Sequence, residues 1–301
     1  EQMEKTKCPK CNSENTKKNG YAISEGTRQQ WHFCNVCHKS WRDQDRFGKE
    51  FIRVGVFSDT HCGHVTGLTH PDYNSKTDEF HSFRKESWDW FSSVVKQMGV
   101  FDYAIFNGDL IDGKQVKSGG LELLVTDRNK QVDMAVAIVK QVGALKNIIV
   151  RGTPYHTGQT ENFEDNVARL VGCDIFDKLV ADIGGKIFDV RHKIGRSSIP
   201  HGRVAPLSRQ VLWARLKAEK TGIKADIIIR SHVHYCVSID ESGVMATTTP
   251  ALQGYSQYGV QECDGETDYG FLIYDIYRDG RILVHKFLKE FDSNKQIVEY
   301  I

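Results

Sequence analysis

The chain has 301 residues, 40% of them hydrophobic and 26% charged, with a formal net charge of +1. This suits one large domain with a small appendage, and the near-neutral balance excludes a globally basic nucleic-acid binder, so any basic footprint must be local. The amino terminus lacks the apolar core of a secretory signal and no apolar stretch is long enough to cross a bilayer, so a cytoplasmic protein without membrane contact is expected.

In chain order, the first segment, residues 1–48, is polar and lysine-rich and could not bury a core unaided. It holds two CxxC pairs, Cys8/Cys11 and Cys34/Cys37, while Cys62, Cys173, Cys236 and Cys263 are scattered. Four thiolates in paired turns suit one tetrahedral structural zinc, with a hairpin between the turns, and fit a reducing compartment. A boundary is expected within residues 43–50, because the run 51–57 then reads as a buried strand. From there, over residues 49–301, strands and helices alternate. Helices are predicted over 78–97, 125–142, 161–171 and 207–220. Strands are predicted over 103–106, 147–150, 186–194 and 225–230. The last third turns to strands at 236–239, 244–248, 271–277 and 282–287, with Asp279-Gly280 as a hairpin signal. Alternating βα units with a β-rich end predict an α/β fold of packed sheets with helices outside.

Short motifs follow these strands: Asp59-Thr60-His61, Gly108-Asp109-Leu110-Ile111-Asp112, Gly152 to His156, and Ser231-His232-Val233-His234, with His192 inside the strand predicted at 186–194. Strand ends are where reactive groups gather in α/β sheets. A lone histidine or a Gly-Asp turn means little, but two carboxylates and four imidazoles at strand ends can serve two divalent ions. Arg191, Lys193, Arg196, His201, Arg203 and Arg209 cluster around His192, a stretch that is either an ordinary solvated loop or one that holds a phosphodiester backbone, with Arg196 and Arg203 as its candidate substrate contacts.

Two resemblances add to this reading. The words Cys8-Pro9-Lys10-Cys11-Asn12-Ser13, Gln30-Trp31-His32-Phe33-Cys34 and Cys37-His38-Lys39-Ser40-Trp41 resemble zinc ribbons of transposases and other DNA-associated proteins. The resemblance implies nucleic-acid contact, with DNA favoured. Lys10, Lys17, Lys18, Arg28 and Lys39 could meet phosphates, and Trp31 or Trp41 could stack on a base; a protein contact is the alternative. From about Phe51 to Phe287 the motif order resembles the calcineurin-like metallophosphoesterases. That resemblance implies a four-layer αββα sandwich, with Asp59, His61 and His234 on a first metal, Asp109 bridging, His192 and His232 on a second, and Asp112 orienting a ligand. Manganese is favoured, with iron, zinc or nickel as alternatives. The family's Gly-Asn-His is replaced here by Gly152-Thr153-Pro154-Tyr155-His156. Thr153 then stands where an asparagine ligand is usual, and His156 becomes the candidate to steady the transition state or protonate the leaving oxygen, with His64 in reserve. The expected function is hydrolysis of a phosphoester by a metal-activated water, with a nucleic-acid phosphodiester favoured as substrate. A phosphatase or phosphodiesterase acting on a small molecule or phosphoprotein is the first alternative. The second is a nucleic-acid-binding adaptor with an inactive phosphoesterase domain.

Overall fold

A computed structural model describes residues 7–8, 10–11, 13–24, 27–42, 50–76, 78–158, 161–197, 199–256 and 267–291, without the side chains of 20–30 and 42. Most of the expected boundary (residues 43–49), Cys263 and the side chain of Arg28 lie outside the described residues. The chain divides into two compact units, Glu1–Ile52 and Arg53–Ile301.

The first unit is a three-stranded antiparallel sheet of β1 (Thr16–Ser24), β2 (Thr27–Cys34) and β3 (Ser40–Arg42) in that order. Its core is Cys8, Cys34 and Trp41, with Cys37 packed against it. So small a core cannot hold a fold alone, which is the circumstance in which a structural metal is needed.

In the second unit, β4 (Phe51–Phe57), β5 (Tyr103–Asn107), β6 (Lys146–Val150) and β7 (Asp174–Phe176) run parallel; with β13 (Tyr269–Tyr277) and β14 (Ile282–Lys289) they form a six-stranded sheet ordered β14-β13-β4-β5-β6-β7. A five-stranded sheet is ordered β11 (Ser238–Glu241), β12 (Val244–Thr248), β10 (Ile227–Arg230), β9 (Lys186–Val190), β8 (Leu179–Ile183), with β12, β10 and β9 parallel. The inner parallel strands are short apolar runs because both of their faces are covered, whereas edge strand β7 is exposed at Asp174 and Phe176. On one side α1 (His81–Met98), α2 (Arg128–Val142) and α4 (Phe163–Val171) supply Phe91, Val139 and Val167, which pack with Phe57, Phe106 and Phe271. On the other, Leu207 and Val211 of α5 (Val204–Thr221) pack with Ile228 and Ala246. Strand alternation then turns Val56, Ile105 and Ile227 toward the inter-sheet space, where the Phe188 ring meets Tyr274 at 6.0 Å. The result is the four-layer αββα arrangement.

Three helices begin later than their periodicity predicts: α1 starts at His81 with no side-chain cap, and the other two follow a capping side chain. Asp127 accepts from Asn129 N–H ahead of α2, and Asn162 accepts from Glu164 N–H ahead of α4. The strand predicted over 186–194 ends at Val190, so His192 lies on the exit and not within it. Strands β7 and β8 were not among the predicted elements. α3 (Pro154–Thr157) is a single turn following β6.

Candidate metal centre

The exits of β4, β5, β6, β9 and β10 deliver the predicted ligands to one place. The loops after β4 and β5 are zipped by backbone bonds: Asp59 N–H to Gly108 C=O and His61 N–H to Asp109 C=O, both 3.0 Å. Asp59, His61, Asp109, His232 and His234 all hold left-handed backbone (φ between 43° and 77°). A non-glycine residue adopts that region at a cost, and such outliers concentrate at functional sites. Gly152 admits the next loop, since a Cβ there would sit 2.2 Å from both Asp109 N and Oδ1.

Three groups of ligating atoms form, each within 4.8 Å: Asp59, His61 and His234; Asp109, His192 and His232; and His61, Asp112 and His156. The first two groups adjoin. His192 Nε2 lies 2.9 Å from Asp109 Oδ2 and 3.9 Å from Asp59 Oδ1, and His234 Nε2 lies 3.2 Å from Asp59 Oδ1. Asp59 therefore lies near imidazoles of both groups, whereas Asp109 faces His192 and His232 of its own. The rings are aimed from behind. His61 Nδ1 bonds Asp112 Oδ1 at 2.9 Å, and His192 Nδ1 donates to Asn107 C=O at 2.6 Å. Both Nε2 atoms are buried; His61 Nε2 has no hydrogen-bond partner among the described residues, and His192 Nε2 faces only the Asp109 carboxylate at 2.9 Å without hydrogen-bond geometry. Buried imidazole nitrogens without a bond, beside buried carboxylates, fit a metal that would occupy the space between them.

Electrostatics agree with tight coupling. Burial would raise the Asp59 carboxyl, yet His192 and His234 hold it well below the usual range; burial would likewise raise Asp109, and His192 and His156 hold it equally low. Burial would lower His61, but its bond to Asp112 and the nearby Asp59 carboxylate push it up to about 10; His192 is driven to about 9 against burial by the charges of Asp109 and Asp59. Burial lowers His234 and His156. His156 Nδ1 faces the Asp112 carbonyl at 2.8 Å, and a carbonyl only accepts, so Nδ1 carries the hydrogen. In its neutral form the ring would present Nε2 toward the centre as a lone pair.

Thr153 donates its N–H (2.6 Å) and hydroxyl (3.1 Å) to Asp109 Oδ1. His64 is occupied elsewhere: its Nδ1 accepts from Thr66 N–H at 3.0 Å, and its Nε2 lies 3.6 Å from Glu122. Arg196 is exposed, and the Arg203 guanidinium lies 4.9 Å over the Tyr235 ring. Two residues absent from the sequence reading complete the frame. Buried Glu164 accepts from Leu110 N–H (2.9 Å) and Gly152 N–H (2.8 Å), tying the β5 exit to the β6 exit. Burial, reinforced by Asp109, pushes it up to about 7. Gln115 donates to Asp112 Oδ2 at 2.6 Å, the oxygen His61 leaves over.

In the first unit, Cys8, Cys11, Cys34 and Cys37 place their sulfurs within 4.8 Å of one another. The Cys8–Cys37 and Cys11–Cys34 separations are both 3.5 Å, close to the ~3.8 Å edge of a tetrahedron with zinc–sulfur bonds of about 2.3 Å. Lys10 N–H and Val36 N–H reach Cys8 and Cys34 at 3.4 Å, as donors to thiolates would. Trp41 corrects an expectation. It is 2% exposed and stacked on His32, so it is core and cannot stack on a base.

No protein-family model matches the sequence, and no curated protein matches it. Among solved structures, the chain is similar to the zinc complex of wild-type Vps29 from Entamoeba histolytica, with 16% identity and a TM-score of 0.40 over 79% of this chain and 99% of that one. It is similar to an archaeal phosphodiesterase, with 11% identity and a TM-score of 0.41 over 78% and 100% of the two chains. A predicted phosphoesterase from Streptococcus pneumoniae gives 13%, 0.32, 79% and 98% in the same order. Likenesses this distant carry no functional argument, and function is argued from the chain's own residues. No helix among the described residues is long and apolar enough to cross a membrane.

Proposed function

We propose that the chain is a metal-dependent phosphoester hydrolase acting on phosphodiesters, with nucleic acid as its substrate class. The observation that carries this reading is the pair of adjoining ligand groups, in which the buried Nε2 atoms of His61 and His192 face carboxylates rather than hydrogen-bond acceptors of the surrounding frame. Asp59, His61 and His234 would hold one divalent cation, and Asp109, His192 and His232 a second, manganese before iron, zinc or nickel. Such a pair supplies Lewis acidity toward phosphoryl oxygens and lowers the pKa of water.

The chain's own residues do the rest. Asp112 and the Asn107 carbonyl fix which nitrogen of His61 and His192 faces the centre. Thr153 holds the Asp109 carboxylate, and its oxygen would stand in for the usual asparagine ligand. His156, its Nδ1 tied to Asp112, is placed to take up or relay a proton at Nε2. Arg196 and Arg203, on the loop following His192, would hold the anionic backbone of the substrate. That loop and the basic ribbon favour nucleic acid over a small diester, and the ribbon's resemblance to those of transposases favours DNA over RNA. The test is turnover with and without added manganese on plasmid, single-stranded DNA, RNA, a chromogenic phosphodiester and a phosphomonoester. The reading expects manganese-dependent cleavage of the chromogenic diester and of nucleic acid. Activity confined to the monoester would make the chain a phosphatase, and inactivity on every substrate would make it a binding module.

A further inference from the structure

Residues 1–48 carry nine basic side chains against six acidic ones, an excess of three positive charges in a chain whose net charge is +1. The remainder is therefore net −2, and the ribbon is the more basic part. The strand register sorts its side chains. Phe33 pairs with Lys17 and Ser40, whereas His32 pairs with Lys18 and Trp41. Residues paired across antiparallel strands share a face, and successive residues alternate. One face therefore carries buried Cys34, His32 and Trp41. The other carries Trp31 and Phe33, both only partly buried.

That second face is arranged for a particular kind of ligand. Lys17 is exposed, with its ammonium 5.2 Å from the centroid of the Phe33 ring, and the His38 ring lies 5.9 Å from the same ring. Exposed Lys39 follows His38. Residues i and i+2 of a strand stand about 6.6 Å apart on one face, so Trp31 and Phe33 bring two successive rings to it. The Lys17 ammonium lies over the Phe33 ring, from which it could move to a phosphate when a base takes its place. Stacking platforms edged by lysine suit unpaired bases followed by their phosphates. A duplex keeps its base faces covered, so rings set for stacking favour an unpaired strand.

We propose that the open face of the ribbon, Trp31 and Phe33 with Lys17 and Lys39, binds single-stranded nucleic acid by base stacking. This deepens the nucleic-acid reading of the catalytic unit, but it can be tested apart from it. The probe is a fluorescent oligo-dT, titrated by anisotropy against the full chain carrying Asp109→Ala, so that hydrolysis cannot consume it. A hairpin duplex of equal length is the comparison. The parent should prefer the single strand. Trp31→Ala and Phe33→Ala should each weaken oligo-dT roughly tenfold, while Trp31→Phe stays within about threefold. Lys17→Ala should flatten the slope of log Kd against log salt by about 0.7.

One zinc per chain, measured in every variant, shows that the ribbon is intact. If Trp31→Ala loses zinc, Trp31→Leu removes the π face while keeping bulk and gives the reading. Parental affinity in zinc-loaded Trp31 and Phe33 variants overturns the proposal. So does duplex binding equal to single-strand binding, and so does a parent that binds no oligonucleotide at low salt, which would leave the face to a protein. Because the readout is binding by a hydrolysis-defective chain, failure here is separate from failure of the substrate panel.

Discussion

Loading the metal centre should expel protons, and the number follows from the site. His61 and His192 sit at about 10 and about 9 in the metal-free protein, so both are cationic near neutral pH. A metal ligand must present a lone pair, so both protons have to leave. The three and two pH units separating these values from neutrality correspond to on the order of 7 kcal/mol, at about 1.4 kcal/mol per unit. That cost opposes metal at about pH 7 and vanishes above about pH 10. His234, already held low by burial, adds nothing to it. Calorimetry of manganese binding, repeated in buffers of different ionisation enthalpy with the ribbon zinc already in place, counts the protons directly. About two should be released for a fully loaded centre at about pH 7, and the combined affinity for both ions should rise ~100-fold per pH unit below about pH 9. Release of no protons, with affinity flat across that range, would refute the assignment of His61 and His192 as ligands. The same values fix a sign for stability. Each protonated ring stabilises the metal-free fold fully below its unfolded value of about 6.5, and that contribution is lost as pH rises through about 9 and about 10. Urea melts of the metal-free protein should therefore weaken from about pH 7 toward pH 10.

Three further outcomes follow from single contacts. Gly152→Ala would push a methyl group into Asp109; turnover should fall roughly 100-fold while circular dichroism shows the fold retained, in keeping with the cost of ångström-scale misplacement. Glu164→Gln leaves one of the Leu110 and Gly152 amides facing a donor instead of an acceptor; a loss of about 1–3 kcal/mol should register in denaturant melts, with weaker metal binding in titrations. Cys34→Ser should abolish the single zinc found by elemental analysis and unfold the ribbon, while the melt of the catalytic unit stays in place.

Much of the centre was legible because its chemistry is written at strand exits. Asp59, His61, Asp109, His232 and His234 follow apolar runs short enough to be read as strands. His192 was found as a residue but misplaced, because alternation continues to Ile194 after the pairing with β10 has ended near Val190. Glu164 was not legible. In sequence it is an acid in the first turn of a helix, an ordinary place for one, and its two amide partners belong to loops 54 and 12 residues away. Gln115 escaped for a different reason, since its bond to Asp112, three residues away, depends on a left-handed backbone that a glutamine does not announce. The two ribbon tryptophans looked alike as candidate stacking residues. Register separates them, because Trp41 pairs with His32 on the buried face and Trp31 lies one position away on the open one. The four-layer architecture was implied by the motif order, whereas β7 and β8, short strands with charged and exposed positions, gave no comparable pattern.

The most direct test of the account is a metal titration of activity on a chromogenic phosphodiester, starting from protein that retains only its ribbon zinc. Turnover should be absent at the start and should rise to a plateau as two further equivalents of manganese bind, with Asp109→Ala and His232→Ala binding fewer and staying inactive. Full turnover before any manganese is added, or wild-type turnover in either variant, would contradict a two-metal centre built from Asp59, His61, Asp109, His192, His232 and His234.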